Sequence, residues 1–267
     1  MESAMNYETL LVDVAERVAT VTLNRPKVLN ALNAAMLHEL DAVFSALADD
    51  AAVCVVLLCG AGAKAFAAGA DIAELAATDA DSGEQLARRG QRVFRRIETL
   101  GKPVIACIDG FALGGGCELA IACTLRMASE RARLGQPEIK LGLLPGYGGS
   151  QRLPRLVGRS TALKMMLTGA MVDAAEALRI GLVDEVVAGE ADSGLMVRAR
   201  ELAEAIAAMP PLAVEGLLDA VDRGADMGLD DALALEAGIF GRLCGTEDKR
   251  EGTRAFLEKR SANWVGR

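Results

Sequence analysis

The sequence predicts an α/β fold that ends in a helical region. Strand-like and helix-like patterns alternate over the first two thirds of the chain, which is typical of βαβ units with parallel strands. Two short runs, Val53–Cys59 and Pro103–Ile108, are apolar without interruption, as expected of strands buried on both faces. Beyond about Ser150 helical patterns dominate. The 267 residues suffice for one large domain or for a core with an appendage.

The first elements follow from local patterns. Thr9–Val14 and Val18–Leu23 are predicted to form a hairpin. Asn33 is the expected N-cap of an amphipathic helix. The remaining elements predicted before residue 150 are the strand Val53–Cys59, a loop rich in glycine and alanine over Gly60–Asp71, a helix around Ser82–Leu100, and the strands Pro103–Ile108 and Thr124–Ala128.

The last part of the chain is predicted to be helical, with one strand at Leu182–Val187. The predicted helices are Gln151–Val157, Ser160–Leu167, Asp173–Ile180, Ser193–Ala208, Leu212–Asp222, Leu229–Cys244 and Glu247–Lys259. We expect a core over residues 1–195 that carries the functional site, and a helical oligomerisation region over residues 196–267.

Composition and charge exclude several classes of protein. Hydrophobic residues make up 52% of the chain and charged residues 25%, which is ordinary for a globular protein with a large core. The net charge is −8 and no block rich in Lys and Arg accompanies aromatic residues, so no nucleic-acid partner is expected. No apolar run reaches the length needed to cross a bilayer, so no membrane association is expected.

Cysteine usage and the first residues bear on the compartment. The six cysteines, at positions 54, 59, 107, 117, 123 and 244, include no C-x-x-C pair, so neither a disulfide framework nor a zinc site is expected. Met1–Asn6 lacks a basic region followed by an apolar core, so no signal peptide is predicted. We therefore expect a reduced, cytoplasmic protein.

Three consecutive glycines, Gly114–Gly116, lead directly into an apolar helical segment. Glycines leave backbone N–H groups accessible, and the start of a helix leaves its first N–H groups unpaired, with the helix dipole favouring an anion. A second segment, Phe66–Asp71, also follows a buried strand. Close packing of a helix on a strand explains either segment alone equally well. Together they favour a site where two N–H donors converge on one developing negative charge.

Two glutamates are the candidates for proton transfer. Glu118 lies on the first turn after the glycines and Glu138 lies beside Pro137. Alone, Glu118 is explained by the helix dipole and Glu138 by a solvated loop. They cannot share a helix face, so only the tertiary fold can bring them together. If they meet at one water, they can divide the acid and base roles, and enolate chemistry on a carbonyl compound is predicted.

Other candidates are weaker. His38 is the only histidine and lies on a predicted amphipathic helix, which argues against a Ser-His-Asp hydrolase. Gly146–Gly149 is rich in glycine, but neither the G-x-G-x-x-G nor the G-x-x-x-x-G-K-[ST] pattern is present in the required context. Asn24–Lys27 places two cations near a turn, and a phosphate contact and a solvated turn are equally good interpretations.

In their order and spacing, these segments resemble the crotonase superfamily, and within it the enoyl-CoA hydratases. The matching segments are Asn24–Pro26, Ala65–Ile72, Lys102–Ala106, Gly110–Leu119, Gly135–Glu138, Gly142–Gly146, Gly148–Arg152 and Ala255–Arg260, which span nearly the whole chain. The resemblance implies a crotonase-like spiral of ββα units with a helical C-terminal trimerisation region.

The resemblance also implies an activity, the reversible syn addition of water across the 2,3 double bond of a 2-enoyl-CoA to give a 3-hydroxyacyl-CoA, as in β-oxidation of fatty acids. The N–H groups of Ala70 and Gly115 would form the oxyanion hole. Glu118 and Glu138 would hold the water, add its oxygen at Cβ and deliver a proton to Cα. The alternatives are a Δ3-Δ2 enoyl-CoA isomerase, which commonly needs one acid, and a catalytically silent acyl-CoA-binding protein, which needs neither glutamate.

Finally, the resemblance implies the ligand contacts and the assembly. Coenzyme A is part of the substrate, and neither a metal nor a separate cofactor is expected. The implied contacts are Arg25 near the phosphates, then Ala68, Ala70, Asp71, Ile72 and Gly115, and from a neighbouring subunit Phe256 and Lys259. A homotrimer or a homohexamer built as a dimer of trimers is expected. Acyl-chain specificity would be set between Asp71 and Leu100, a segment whose composition suggests mobility.

Overall fold

A computed structural model describes residues 7–188 and 193–267 of the chain. The N-terminal segment on which the signal-peptide expectation rests lies outside the described residues. The strands are β1 (Leu10–Ala15), β2 (Val18–Leu23), β3 (Val55–Gly60), β4 (Ala65–Ala67), β5 (Val104–Ile108), β6 (Phe111–Leu113), β7 (Leu125–Ser129), β8 (Arg133–Gly135), β9 (Met171–Asp173) and β10 (Glu185–Val187). The helices are α1 (Ala34–Asp49), α2 (Ile72–Ala76), α3 (Ala80–Glu98), α4 (Gly115–Ile121), α5 (Gly149–Val157), α6 (Arg159–Thr168), α7 (Ala174–Arg179), α8 (Ser193–Ala207), α9 (Pro211–Gly224), α10 (Leu229–Cys244) and α11 (Glu247–Glu258).

The larger sheet has six strands in the order β1-β2-β3-β5-β7-β10. The β1–β2 hairpin is antiparallel and every other pairing is parallel, as predicted. Alternate residues of β3 explain its continuous apolar run. Val56 and Leu58 face the main core with α1 and α3, whereas Val55 and Leu57 face α8.

Helix α8 packs on the outer face of this sheet. Its buried residues Leu195, Ala199 and Ala203 recur at four-residue intervals and contact β3 and β5 side chains. The predicted boundary between residues 195 and 196 therefore falls inside a helix that covers the core sheet. The assignment of the rest of that region to oligomerisation stays a prediction.

A second sheet of four strands, β4-β6-β8-β9, was not predicted from the sequence. Its strands have three residues each, too few for a periodic pattern. Residues 60–71, predicted as a loop, therefore contain β4. Three of the four strands follow a strand of the larger sheet after a short connection: β4 follows β3, β6 follows β5, and β8 follows β7. This repeat, with helices after β4 and β6, agrees with the expected ββα units.

The segment between residues 71 and 100 is mostly helical. Asp71 is the N-cap of α2, and Asp79 with Ser82 forms a reciprocal capping box at the start of α3. These caps explain why helices begin within the polar run, and the mobility that its composition suggests stays a prediction. The helices α9 and α10 pack on each other at the C-terminal end. Within residues 7–188 and 193–267, no helix is long and apolar enough to cross a membrane.

Candidate active site

Gly114 makes the turn from β6 into α4. Its N–H donates to the Gly135 carbonyl at 2.9 Å, and its φ of +49° lies in the region that favours glycine. A β-carbon at this position would lie 2.8 Å from Oε1 of Glu138 and 3.8 Å from the Cα of Gly69. The glycine thus allows three chain segments to meet at the start of α4.

The next two glycines let α4 approach its neighbours closely. A β-carbon on Gly116 would lie 2.0 Å from the Ala67 carbonyl oxygen of β4. One on Gly115 would lie 3.2 Å from the Tyr147 ring and 3.3 Å from Leu32. Every residue of α4 is buried. Close packing of α4 on β4 therefore accounts for the glycine at position 116.

Ala70 is presented by an isolated parallel bridge to Leu32. The Leu32 N–H donates to the Gly69 carbonyl at 2.8 Å, and the Leu32 carbonyl accepts from the Asp71 N–H at 2.9 Å. In such a bridge the N–H of the residue between these two bonds is directed away from the partner. The Ala70 N–H is therefore held by its neighbours but is not used by them.

Two unpaired donors thus border the same cavity. Gly115 is the first residue of α4, so its N–H has no partner within the helix. Across residues 7–188 and 193–267, neither the Ala70 N–H nor the Gly115 N–H donates a hydrogen bond. Both residues line one cavity. The pair can therefore bind an oxygen on which negative charge develops.

Glu118 is one turn into α4 and only 1% exposed. Its Oε1 accepts the N–H of Tyr147 at 2.8 Å and the N–H of Gly149 at 2.7 Å. Burial raises the pKa of this carboxyl to about 8; the Gly149 N–H opposes that rise, and the charge of Glu138 adds to it. A group with this pKa can hold or release a proton near neutrality.

Glu138 begins a 3₁₀ turn, Glu138–Leu141, and is partly exposed. In the orientation that satisfies both of its amide atoms, fully buried Gln136 donates to the two oxygens of Glu138 at 3.1 and 3.3 Å. Burial also raises the pKa of Glu138, to about 7. The two glutamates thus titrate in the same range, and as an interacting pair they share protons around neutral pH.

The cavity between these groups has a volume of about 630 Å³. Its polar lining includes the two glutamates, the two free N–H groups, Thr78 and Asp79, and most of its other lining residues are apolar. The apolar lining comes from Ile72, Leu75, Leu86, Ala87, Leu141, Leu143, Leu144 and Tyr147. A polar reaction centre with an apolar extension fits a substrate that carries a carbonyl and a hydrocarbon chain.

The structure brings together most of the residues predicted for the site. Glu118, Glu138, Ala70 and Gly115 line the cavity, as do Ala68 and Ile72. Arg25 and Asp71 lie just behind the wall and form an ion pair with each other at 3.1 Å. Phe256, which is 84% exposed, and Lys259 do not line this cavity in their own chain.

Three contributors were not predicted from the sequence. The N–H groups of Tyr147 and Gly149 hold Glu118, and Gln136 holds Glu138. Gly149 also has steric reasons to be glycine, because a β-carbon there would lie 2.9 Å from Glu118 Cγ. The sequence feature that could have indicated the two N–H groups is the glycine-rich run Gly146–Gly149. It was considered only as a possible nucleotide-binding pattern and not as a support for a carboxylate.

Metal ligation is a separate question. Among the described residues, no cluster of three or more His, Cys, Asp or Glu side chains is arranged to hold a metal ion. His38, the only histidine, lies exposed on α1 and does not line the cavity.

Comparison with known proteins relates the chain to enoyl-CoA hydratases. Residues 13–267 match the model of the family described as "Enoyl-CoA hydratase/isomerase". The sequence is 47% identical over 256 residues to the short-chain-enoyl-CoA hydratase of Clostridium acetobutylicum, covering 96% of this chain and 97% of that protein. It is 44% identical over 263 residues to the crotonyl-CoA hydratase of Syntrophomonas wolfei, covering 98% and 100%. A crystal structure of enoyl-CoA hydratase from Bacillus anthracis matches with a TM-score of 0.93 at 39% identity, covering 97% and 100%.

Proposed function

Because this chain belongs to the enoyl-CoA hydratase/isomerase family, we propose that it hydrates a 2-enoyl-CoA at the cavity bordered by Glu118 and Glu138. The enzyme is an enoyl-CoA hydratase, which adds water reversibly to the 2,3 double bond and forms a 3-hydroxyacyl-CoA. One observation carries the assignment of the site: two carboxyl groups with raised pKa values and two unpaired N–H groups line the same cavity.

The geometry supports a mechanism without a covalent intermediate. The thioester oxygen accepts hydrogen bonds from the N–H groups of Ala70 and Gly115, which withdraws electron density from Cβ. The glutamate pair holds one water and one proton between them at neutral pH. The ionised member takes a proton from the water as its oxygen bonds to Cβ, and the enolate forms at the thioester. The protonated member then supplies the proton to Cα, and delivery to the same face of the double bond gives syn addition.

We propose short-chain enoyl-CoA thioesters as the preferred substrates. Relatives named for short-chain enoyl-CoA and for crotonyl-CoA support this proposal. So does the Tyr147 ring, which lines the cavity next to Gly115 and is held against Phe94 with the two ring centres 5.5 Å apart. A β-carbon on Gly90 would lie 2.2 Å from this ring, so α3 leaves the ring no room to move back.

The coenzyme A contacts remain a proposal. The moiety would lie along residues 65–72, with Ala68, Asp71 and Ile72 near it. Phe256 and Lys259 would reach it from a neighbouring copy. The exposed position of Phe256 at the end of α11 supports that arrangement. Arg25 as a phosphate contact stays a prediction, although its guanidinium is bonded to Asp71.

We also propose that the chain forms a trimer, or a hexamer of two trimers, through its C-terminal helices. Large apolar side chains on α9, α10 and α11 are exposed in the single chain, which supports such a contact. They are Leu217, Val221, Leu229, Leu233, Phe240, Phe256 and Leu257. Light scattering after size exclusion tests this: Phe240→Asp should lower the oligomer mass, and Leu11→Asp, on exposed β1, should leave it unchanged.

The proposed reaction needs no metal or redox cofactor, because acid–base transfer and enolate stabilisation account for every bond made and broken. Dialysis against EDTA should therefore leave the activity unchanged. A cytoplasmic location is proposed as well. It is supported by the six cysteines, all of them free, as is usual in a reducing compartment. Cell fractionation with an antibody to the chain measures it.

The decisive assay follows the loss of the conjugated thioester absorbance of crotonyl-CoA. We expect hydration by the wild type and a loss of about 10²–10⁴ in kcat for both Glu118→Gln and Glu138→Gln. An isomerase would instead convert a 3-enoyl-CoA and tolerate one of the two changes. A silent acyl-CoA-binding protein would bind the thioester without turnover. Near-wild-type rates in both variants would contradict the proposed mechanism.

The substrate range needs a panel rather than one compound. We expect kcat/KM to be highest for four-carbon enoyl-CoA and to decline as the acyl chain grows. Replacing Tyr147 by Ala should raise the relative rate for eight-carbon and longer thioesters. Tyr147→Phe keeps the ring and should leave the preference unchanged. A preference for long chains in the wild type would contradict the short-chain proposal.

A further inference from the structure

The Arg25 side chain forms hydrogen bonds with two segments of the chain that border the site. Its Nη1 donates to the Ala31 carbonyl at 2.6 Å and to Oδ2 of Asp71 at 3.1 Å, and its Nη2 donates to the same Asp71 oxygen at 3.1 Å. The ion pair is largely enclosed, with side-chain exposures of 22% for Arg25 and 19% for Asp71. Both guanidinium nitrogens thus converge on one carboxylate oxygen while Nη1 also reaches a carbonyl, a set of contacts that suits the planar, multiply donating arginine side chain.

The two groups that Arg25 binds are next to the bridge that presents Ala70. Ala31 precedes Leu32 in the chain, and Asp71 follows Ala70. The bridge consists of the two hydrogen bonds between Leu32 and residues 69 and 71. Arg25 therefore bonds to one residue on each side of this two-bond contact, the Ala31 carbonyl and the Asp71 side chain.

Arg25 is itself held in place. Its N–H donates to Oδ1 of Asn30 at 2.9 Å, and the amide nitrogen of Asn30, which is fully buried, donates to the carbonyls of Ala61 and Ala65. Ala65 begins β4, against which Gly116 of α4 packs. The support of Ala70 is thus continuous with the support of the other donor, Gly115.

Building on the proposed hydratase function, we propose that Arg25 is a positioning residue for the oxyanion hole. By binding Ala31 and Asp71 it fixes the direction of the Ala70 N–H toward the thioester oxygen. Asp71 has a double role, because its Oδ1 caps α2 through the Ala73 N–H while its Oδ2 receives Arg25. In this role the ion pair acts on the reaction through Ala70, whether or not either residue also contacts coenzyme A.

This role differs measurably from a phosphate contact. A guanidinium that binds coenzyme A phosphates matters only for substrates that carry them. A guanidinium that aims Ala70 matters for every thioester. Misplacing a reacting group by about 1 Å can cost about a hundredfold in rate, so the effect should appear in kcat rather than in KM.

The test compares crotonyl-CoA with S-crotonyl-N-acetylcysteamine, which has the thioester but no phosphate. For Arg25→Ala we expect kcat/KM to fall by about 10- to 100-fold and by the same factor with both substrates. Arg25→Lys should lose nearly as much, since an ammonium cannot span both acceptors. Arg96→Ala removes an exposed arginine from its 2.6 Å ion pair with Asp41 and is the matched control, with unchanged activity expected.

A second measurement does not need turnover. The ¹³C shift of the thioester carbonyl in bound butyryl-CoA reports the polarisation by the two N–H donors. Arg25→Ala and Asp71→Asn should both move it toward the value of free butyryl-CoA, and the double variant should move it no further, because both act through one contact.

The outcomes separate the possible failures. A wild type that does not hydrate crotonyl-CoA contradicts the proposed function. If the wild type is active, a loss confined to crotonyl-CoA makes Arg25 a phosphate ligand and overturns the positioning role. An unshifted ¹³C signal in a variant that is only less heat-stable overturns it too, because Arg25 would then serve the fold alone.

Discussion

The two segments that carry the glutamates of the proposed site are built differently. Glu118 lies on a helix whose residues are all buried, and its carboxyl is held by two backbone N–H groups. Glu138 lies on a short 3₁₀ turn that is partly exposed, and its carboxyl is held by the side chain of Gln136. One carboxyl is positioned by the fold and the other by a replaceable side chain.

The two carboxyl groups therefore respond differently to mutation. Backbone donors are kept by every substitution at their own positions except proline, so the environment of Glu118 depends on the conformation of the loop that follows Gly146. The hydrogen bonds to the Glu138 carboxyl, in contrast, come from a side chain that mutation can change. Each glutamate is also backed by a glycine, since a β-carbon on Gly149 would meet Glu118 and one on Gly114 would meet Glu138.

The largest expected effect tests whether the two segments act as one unit. Glu118→Gln and Glu138→Gln should each lower kcat by about 10²–10⁴. The double variant should be less than about tenfold slower than the worse single variant, because groups that share one water are not additive. Steady-state rates with crotonyl-CoA measure this. A double variant whose loss is the product of the single losses would mean that the glutamates work independently.

The next effect concerns the glycines behind the carboxyls. Gly149→Ala and Gly114→Ala should each lower kcat by about tenfold to a hundredfold, because the new methyl group displaces the carboxyl from the water. Gly142→Ala is the control for backbone strain. Gly142 has a φ of +74°, but a β-carbon there meets nothing within 4 Å. It should cost about 1 kcal/mol of stability without the loss in kcat. Equal kcat losses in all three variants would attribute the effect to strain.

The pH dependence of the rate should report the shared proton. Burial raises the pKa of Glu118 to about 8 and the pKa of Glu138 to about 7. We expect kcat/KM to be greatest while the pair holds one proton, to fall above about pH 8 as both ionise, and to fall below about pH 7 as both become protonated. A rate that is flat from pH 6 to 9 would show that the pair does not titrate there.

The same shifts set the sign of a stability change. Both groups have an ordinary pKa of 4.5 and a higher one in the folded protein. Between pH 4.5 and 8 the folded state therefore holds protons that the unfolded chain has released. The resulting stability is full below pH 4.5 and is lost as the pH rises through 7 to 8. Urea unfolding should find the wild type losing at least about 1 kcal/mol relative to Glu118→Gln from pH 5 to 8.5. A constant difference would contradict it.

The smallest expected effect concerns the side-chain hydrogen bonds to Glu138, which contrast with the backbone hydrogen bonds to Glu118. Gln136→Met keeps the volume but removes both hydrogen bonds to Glu138. The pKa of Glu138 should then rise further, because hydrogen-bond donors to a carboxylate favour its ionised form. We expect a loss in kcat/KM of about fivefold to tenfold at pH 7 and an upward shift of the acidic limb. Gln151→Met, at an exposed position of α5, should change neither. An unshifted limb in Gln136→Met would mean that Gln136 only fills space.

Much of the fold could be predicted because its elements are locally encoded. The predicted β2 agrees residue for residue, and Asn33 is the N-cap of α1 as expected. The crotonase-like α/β class is confirmed by the parallel sheet and by the close match to a solved enoyl-CoA hydratase. The second sheet could not be predicted, because each of its strands has only three residues. These strands are defined by pairing with neighbouring strands and not by a local sequence pattern.

For the site, the residue types and motif spacing were enough to select Glu118, Glu138 and the two N–H segments as candidates, because they occur together, although each of them alone has another explanation. The sequence by itself thus determined which groups are available for the chemistry. Only the tertiary structure decided how they are held: Tyr147 and Gly149 on Glu118, Gln136 on Glu138, and Arg25 turned toward Asp71. The physical reason is that pKa values and hydrogen-bond directions depend on burial and on contacts between residues far apart in the chain, which local patterns do not contain.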